Sequence, residues 1–364
     1  MLVAFRADAS VQIGTGHVMR CLTLAEELRR QGHQCLFICR NHEGHLADII
    51  TQKGFELHLL QPPEQLETLA KDELVLAHAD WLGVPWQTDA NQTLQVLSSS
   101  NAEWLIVDHY ALDAKWERKL AEAVSQIMVI DDLADREHDC AVLLDQNVLG
   151  CCFKRRYQSN VNENCRLLLG PTYALLSHEY AVLANALPSR NGSIARILIF
   201  VGGSDPFHLT ELYLKVLAKQ EFSHLSVDVV IGKNYPLSAV IQELVNKRAN
   251  TQLYSGLPSL AALMVRADLM LGAGGTTNWE RMCLGLNVIV ASIARNQDKI
   301  NQVLGNRSLV TFLGKADELT TDAIACAIRS VISEPESNSQ RSDVMRKIVD
   351  GYGAQYVCRV LTGN

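Results

Sequence analysis

His17 follows two glycines in the run Arg6-Ala-Asp8-Ala-Ser10-Val-Gln-Ile-Gly14-Thr-Gly16-His17, between an apolar strand pattern and the start of a helical one. A histidine at a helix start feels the positive end of the helix dipole, which favours the neutral ring that can accept a proton. Gly14 and Gly16 allow a backbone to approach a ligand closely, and helix amides favour anions. From these residues alone two readings stay open, a structural or capping histidine and a general base. The spacing is only G-x-G, so the dinucleotide fingerprint is not met.

A second cluster, Leu271-Gly272-Ala-Gly274-Gly275-Thr276-Thr277-Asn278-Trp279-Glu280, also joins a strand pattern to a helical one. Glycines and hydroxyls at such a turn suit a diphosphate. Glu280 falls in the first helical turn, where it either takes bonds from ribose hydroxyls or only complements the helix dipole. Gly202-Gly203-Ser204-Asp205 is a further strand-end turn, and two such loops in one half of the chain strengthen the nucleotide reading. Asp108-His109-Tyr110 and Asp131-Asp132 each follow an apolar run. Adjacent residues on a strand point to opposite faces, so the paired aspartates do not flank one bond as a glycosidase acid and base would. A structural role, accepting from loop amides, is expected for them.

These residues need strands to carry them. Continuous apolar runs at 2–5, 34–39, 55–60, 104–107, 127–130 and 141–144 read as strands buried on both faces of a parallel sheet. Val18, Cys21, Leu22, Ala25 and Leu28 recur at helical spacing, with Gly32 as the stop. Residues 64–87 are less regular. A second alternating series has strands expected at 197–201, 227–231, 269–271, 288–290 and 309–312. Polar, turn-prone residues at 187–193 read as a linker. The expected organisation is a doubly wound α/β chain of two Rossmann-like domains facing one another across a cleft. Residues 1–187 would carry the base and sugar site and 194–340 the nucleotide, with helices at 341–364 packing back across the junction.

The chain has 364 residues, 48% of them hydrophobic and 20% charged, which excludes a disordered or collagenous chain and favours two domains. Lys and Arg number 33 against 40 Asp and Glu, a net charge of −7 with no basic block, so no nucleic-acid partner is expected. The ten cysteines form neither C-x-x-C nor any other metal-ligand spacing, and read as reduced, mostly buried thiols. The opening apolar run is too short for a signal peptide, and no apolar stretch reaches about 18 residues. A soluble, cytoplasmic chain without membrane association is expected. Nothing in the sequence fixes an oligomeric state.

Several motifs together resemble the UDP-sugar hydrolases of pseudaminic acid biosynthesis, the PseG type. They are Arg6-Ala-Asp8-Ala-Ser10, Ile13-Gly14-Thr-Gly16-His17-Val18-Met-Arg20-Cys21-Leu22, Val107-Asp108-His109-Tyr110, Val129-Ile130-Asp131-Asp132, Asp145-Gln146-Asn147, Gly170-Pro171-Thr-Tyr173 and Trp279-Glu280-Arg281. The resemblance covers nearly the whole chain in order. It implies a GT-B architecture and metal-independent, cofactor-free hydrolysis of UDP-2,4-diacetamido-2,4,6-trideoxy-β-L-altrose, with inversion at the anomeric carbon. It implies His17 as base, Tyr110 as active-site tyrosine and Asn278 as the catalytic asparagine. Gly14, Gly16, Arg20, Tyr173, Gly203, Ser204, Gly274, Gly275, Thr276, Thr277, Glu280 and Gln297 are then expected to bind substrate, with Glu280 on the ribose. A glycosyltransferase of the same fold and an inactive nucleotide-sugar-binding module remain the alternatives, because fold does not fix function.

Overall fold

The computed structural model describes residues 1–62, 76–147, 153–203, 205–232 and 239–363. They form two compact units, one of 1–177 with 352–364 and one of 178–351.

In the first unit seven strands form a wholly parallel sheet. They are β1 (Leu2–Ala7), β2 (Gln34–Arg40), β3 (Glu56–Leu60), β4 (Trp104–Asp108), β5 (Gln126–Ile130), β6 (Val142–Asp145) and β7 (Arg166–Leu169), in spatial order β3-β2-β1-β4-β5-β6-β7. The runs are apolar throughout because both faces are covered. Val3, Phe5 and Ala7 pack on one side with the helix Gly16–Arg30, while Ala4, Leu105 and Val107 pack on the other with Trp116 and Tyr157. Phe5 stacks on Phe37 at 4.9 Å between ring centroids. Burying an aromatic or branched aliphatic side chain of this kind is worth about 1.5–3 kcal/mol, so register is strongly fixed. Ala7 on β1 consequently pairs with Asp108 on β4.

The predicted stripe of the helix Gly16–Arg30 is the buried one: Val18, Cys21, Leu22, Ala25 and Leu28 are all in the core, and Gly32 ends the segment at φ 86°. A fully buried ionic cluster locks the mouth of β1. Arg6 donates to both oxygens of Asp8 at 2.6 and 2.8 Å and to Asp89 at 2.7 Å, and Asp8 accepts from the Arg40 amide at 2.6 Å. The Arg and Asp of the first motif thus shape the loop that precedes His17.

The second unit repeats the scheme with β8 (Arg196–Phe200), β9 (Ser226–Ile231), β10 (Thr251–Ser255), β11 (Leu269–Ala273), β12 (Asn287–Ser292) and β13 (Thr311–Lys315), all parallel, in the order β10-β9-β8-β11-β12-β13. Ile197, Ile199, Val227, Val229, Leu269 and Leu271 build its core.

The structure differs from the sequence expectation in three places. The 187–193 stretch is not a linker but packs inside the second unit. Arg190 donates to the carbonyls of Met264, Ala267 and Leu284, and a Cβ on Gly192 would stand 1.8 Å from the Pro335 carbonyl oxygen. The division falls instead at Ser177/His178, so the helix His178–Ala186 belongs to the second unit. Of the C-terminal helices, Pro335–Ile348 stays with the second unit, and Gly353–Thr362 rejoins the first, where it packs on Gly16–Arg30. Residues 63–75 of the irregular 64–87 segment lie outside the described residues; a helix runs from Trp86 to Leu97. No helix among the described residues is long and apolar enough to cross a membrane.

Candidate active site

Both sheets reverse their strand order once, between β1 and β4 in the first unit and between β8 and β11 in the second. At such a switch point the flanking loops diverge and open a crevice at the carboxyl ends of the strands, where open α/β sheets bind ligands.

At the first switch point six side chains form one hydrogen-bonded cluster. His17, in the first turn of the helix after β1, places Nδ1 2.6 Å from Oδ1 of Asp108, the last residue of β4. Arg20, one turn further on, donates to Asp108 through Nε at 2.5 Å and through Nη2 at 2.6 Å. Its Nη1 donates to Asp132 Oδ2 at 3.1 Å. Asp132 accepts in turn from the Tyr110 hydroxyl and from Asn147 Nδ2, the latter at 2.8 Å. Tyr110 closes the circle by meeting the His17 ring edge-on, 4.5 Å between centroids. His78 and Trp81 pack around the same tyrosine at 5.5 and 5.8 Å.

Burial alone would push the Asp108 carboxyl up, but Arg20 and then His17 hold it well below the usual carboxylate range, so it is ionised. An ionised carboxylate has no proton to give, which makes Nδ1 of His17 the donor. In the neutral form of the ring the other nitrogen, Nε2, carries the lone pair. A neutral imidazole fixed through Nδ1 by a carboxylate can take a proton at Nε2 from a bound nucleophile.

The neighbouring aspartate behaves as expected of a structural residue. Asp131 accepts from the Ala134 amide at 2.8 Å, Arg136 at 2.9 Å and the Tyr157 hydroxyl at 3.0 Å. Asp132 does not: it faces the cluster, and the alternation that separates the pair is what brings it there. Arg20 also departs from expectation. Its donors are engaged by Asp108 and Asp132 and it is buried, so it organises the site's carboxylates instead of offering a free guanidinium to substrate.

The glycines before His17 form a turn built on Ser10, whose Oγ accepts from the amides of Gln12 and Ile13 at 3.2 and 2.9 Å; Gly14 sits at φ 81°. A Cβ on Gly16 would meet nothing within 4 Å, which leaves open space beside His17. Tyr173 ends the short turn Pro171–Tyr173 that follows β7. It lines a groove of about 510 Å³ with Arg166, Thr172, Tyr356 and Arg359, and no residue of the His17 cluster lines that groove.

In the second unit, Gly202 and Gly203 follow β8, and Gly274 and Gly275 follow β11, on either side of the switch point. Backbone packs tightly here: a Cβ on Gly232 would stand 2.2 Å from the Gly203 carbonyl oxygen, and one on Gly274 2.5 Å from Asn301 Nδ2. Gly275 takes φ 110°, and a Cβ there would lie 3.8 Å from Nε2 of Gln297, whose Oε1 accepts from the Ile293 amide at 3.1 Å. With its oxygen held, Gln297 turns its amide nitrogen toward the glycine loop. Ser204 lies outside the described residues. Asp205 caps the helix Leu209–Leu217, accepting from the amides of Leu209 and Thr210 at 2.9 and 2.8 Å.

Thr276 and Thr277 open the helix Thr277–Cys283. Glu280 on that helix is part-buried and accepts from Tyr180; burial, reinforced by Glu179, raises its carboxyl to about 7 against the pull of that hydrogen bond. Asn278 is not available to a ligand. It is fully buried, donates to Asn301 Oδ1 at 3.2 Å and accepts from Arg281, so it ties the loop to the helix Arg295–Asn306. The catalytic expectation for Asn278 fails on this burial. Among the described residues no group of His, Cys, Asp and Glu is arranged to hold a metal ion.

Comparison with known proteins agrees with this architecture. Acinetobacter baumannii MurG superposes over 100% of this chain and 99% of its own, with a TM-score of 0.69 at 11% identity. The fold is GT-B. Residues 197–350, nearly all of the second unit, match the model of the glycosyltransferase family 28 C-terminal domain. The UDP-2,4-diacetamido-2,4,6-trideoxy-beta-L-altropyranose hydrolase of Campylobacter jejuni is 24% identical over 82% of this chain and 94% of its own, which bears out the likeness read from the motifs. The spore coat polysaccharide biosynthesis protein SpsG of Bacillus subtilis is 22% identical over 99% and 98%. An uncharacterized protein of Methanocaldococcus jannaschii is 23% identical over 80% of this chain, which spans about half of it, 55%.

Sequence reasoning singled out Asp108-His109-Tyr110 without giving Asp108 a role, took Asp132 as structural and passed over Asn147 as a member of the site. One signal was present: each stands at or just beyond the carboxyl end of a strand near the switch point.

Proposed function

We propose that this GT-B chain is a nucleotide-sugar hydrolase that releases UDP from a UDP-linked diacetamido-trideoxy sugar by attack of water at the anomeric carbon, with inversion. The observation that carries the reading is the imidazole of His17 held through Nδ1 by Asp108, next to the open space at Gly16. His17 takes a proton from water as the water oxygen bonds to the anomeric carbon. The bond from that carbon to the β-phosphate oxygen breaks, and its electron pair leaves with UDP. UDP is a weak base and departs without a protein acid, so a single base suffices. Gly203, Gly274, Gly275, Thr276, Thr277 and Gln297 are the proposed diphosphate ligands, Glu280 the ribose ligand, and Gly14 and Gly16 the lining of the sugar site. The likeness to the Campylobacter hydrolase supports the diacetamido sugar as substrate class.

The match to a glycosyltransferase C-terminal domain favours a second reading, transfer of the sugar to an acceptor. Incubation with the UDP-diacetamido sugar in ¹⁸O-water, without acceptor, separates the two. UDP release with label on the sugar C1 hydroxyl is expected. Turnover only with an added acceptor would select the transferase, and label in UDP would mean attack at phosphorus.

A further inference from the structure

Asp132 has no part in the proton transfer just described, yet it holds three of the other five side chains of the cluster. Its Oδ2 accepts from two nitrogen donors, Arg20 Nη1 at 3.1 Å and Asn147 Nδ2 at 2.8 Å. Its Oδ1 accepts from the Tyr110 hydroxyl. Arg20 joins it to Asp108, so one guanidinium sets two carboxylates, each of which orients one ring. The tyrosine is otherwise ringed by His17, His78 and Trp81, with the Arg136 guanidinium 5.8 Å from its centroid. No carboxylate other than Asp132 accepts its proton among the described residues.

A phenol whose proton is committed to a carboxylate can only accept from a ligand. We propose that Asp132 is a positioning residue that fixes the Tyr110 hydroxyl as an acceptor beside His17, so that Tyr110 takes an O–H or N–H from the bound water or sugar. This rests on the hydrolase reading for its consequence in turnover, though not for the orientation itself. With the water's protons accepted by protein groups, its lone pair is left for the anomeric carbon. Placement of this kind acts on kcat more than on KM.

The chemistry of Asp132 supplies a nearly isosteric test. In Asp132→Asn the amide oxygen must occupy the Oδ2 position, because two N–H donors point there. The amide nitrogen then faces Tyr110, donates to its hydroxyl and reverses it. Two measurements follow. The first is ultraviolet difference titration of tyrosinate, with Tyr110→Phe identifying the Tyr110 signal. Burial, then Asp132, holds the phenol well above its ordinary value. The Tyr110 signal should therefore be missing from the wild-type titration near pH 10–11 and appear at lower pH in Asp132→Asn. An unchanged Tyr110 titration in a folded variant would overturn the proposal whether or not the protein hydrolyses UDP-sugars.

The second is a double-mutant cycle on acceptor-free UDP release. Loss of a charge-assisted hydrogen bond that orients a reacting group should lower kcat by about 10- to 100-fold with KM nearly unchanged. If Asp132 acts through Tyr110, adding Asp132→Asn to Tyr110→Phe should cost little more. Additive losses would mean a merely structural aspartate and sink the proposal. Absence of any acceptor-free release by the wild type would overturn the hydrolase reading and leave the titration to decide on Asp132.

Discussion

Asp108 accepts from Nδ1 of His17 at 2.6 Å, and this contact decides which ring nitrogen is basic. The strand pairing that aligns Ala7 with Asp108 brings the carboxylate under the helix start, so the tautomer is a consequence of register. His17→Asn should bind UDP almost normally, because the proposed UDP ligands are all in the second unit, and should lower hydrolysis by about 10²- to 10⁴-fold. Asp108→Asn should approach the same loss with the fold kept, since an asparagine can offer Nδ1 an N–H and so favour the wrong tautomer. Calorimetric UDP titration beside initial-rate measurement checks both. A folded His17→Asn hydrolysing at the parent rate would falsify the base assignment.

Much of this was legible in the chain, and the limits have physical causes. Strands buried on both faces announce themselves as unbroken apolar runs, so β1, β2, β4, β5 and β6 were all readable. The two unread strands, β7 and β10, are edge strands of their sheets, where Arg166 and the mixed Thr251–Ser255 face partly outward and the pattern dissolves. His17 and Tyr110 were legible as motif residues. What joins them was not, because Arg20, Asp108 and Asp132 are 88 and 112 positions apart along their bonded pairs and meet only through strand order. Asn278 misled for a related reason: a polar residue next to a glycine loop reads as exposed until Asn301 and Arg281 are seen to enclose it.

Asp145, at the end of β6, is raised to about 7 by burial and the nearby Asp132 charge, against the pull of Arg156. An unfolded carboxyl titrates near about 4. Between about 4 and about 7 the folded chain therefore holds a proton that the unfolded chain has released, and stability falls as pH rises through that window. Asp145→Asn removes the term. Its Tm relative to wild type should rise steadily from pH 4.5 to pH 7.5, as followed by circular dichroism. A constant or falling difference would show that Asp145 is not a raised carboxyl.

Glu280 is raised in the same direction, and its proposed role couples that shift to a ligand. As the proposed ribose ligand its carboxyl, raised to about 7 chiefly by burial, would have to be ionised to accept from two hydroxyls. UDP affinity of the wild type should therefore increase through neutral pH, and the ratio of wild-type to Glu280→Gln affinity should grow with it. Glu280→Ala should raise KM while kcat stays near the parent value, because a ribose contact is made equally in the ground and transition states. A fall in kcat with KM unchanged would place Glu280 in the chemistry instead.

Gly16 and Gly274 separate the uses of glycine in this chain. A Cβ on Gly16 meets no atom within 4 Å, and the residue opens a helix with no left-handed backbone demand. Gly16→Ala should leave stability within about 0.5 kcal/mol of wild type. If the open space beside His17 receives the sugar, kcat/KM should still drop. Gly274→Ala puts its methyl 2.5 Å from Asn301 Nδ2, and Asn301 already holds Asn278 and Ser292 by hydrogen bonds at 3.2 and 3.0 Å. With no flexible chain end to yield, that variant should lose about 1–3 kcal/mol by overpacking and should bind UDP less well as the loop is displaced. Urea melts and UDP titration of the two variants give the contrast directly. A destabilised Gly16→Ala with normal turnover would mean that the gap beside His17 is filled by the protein itself, and not by substrate.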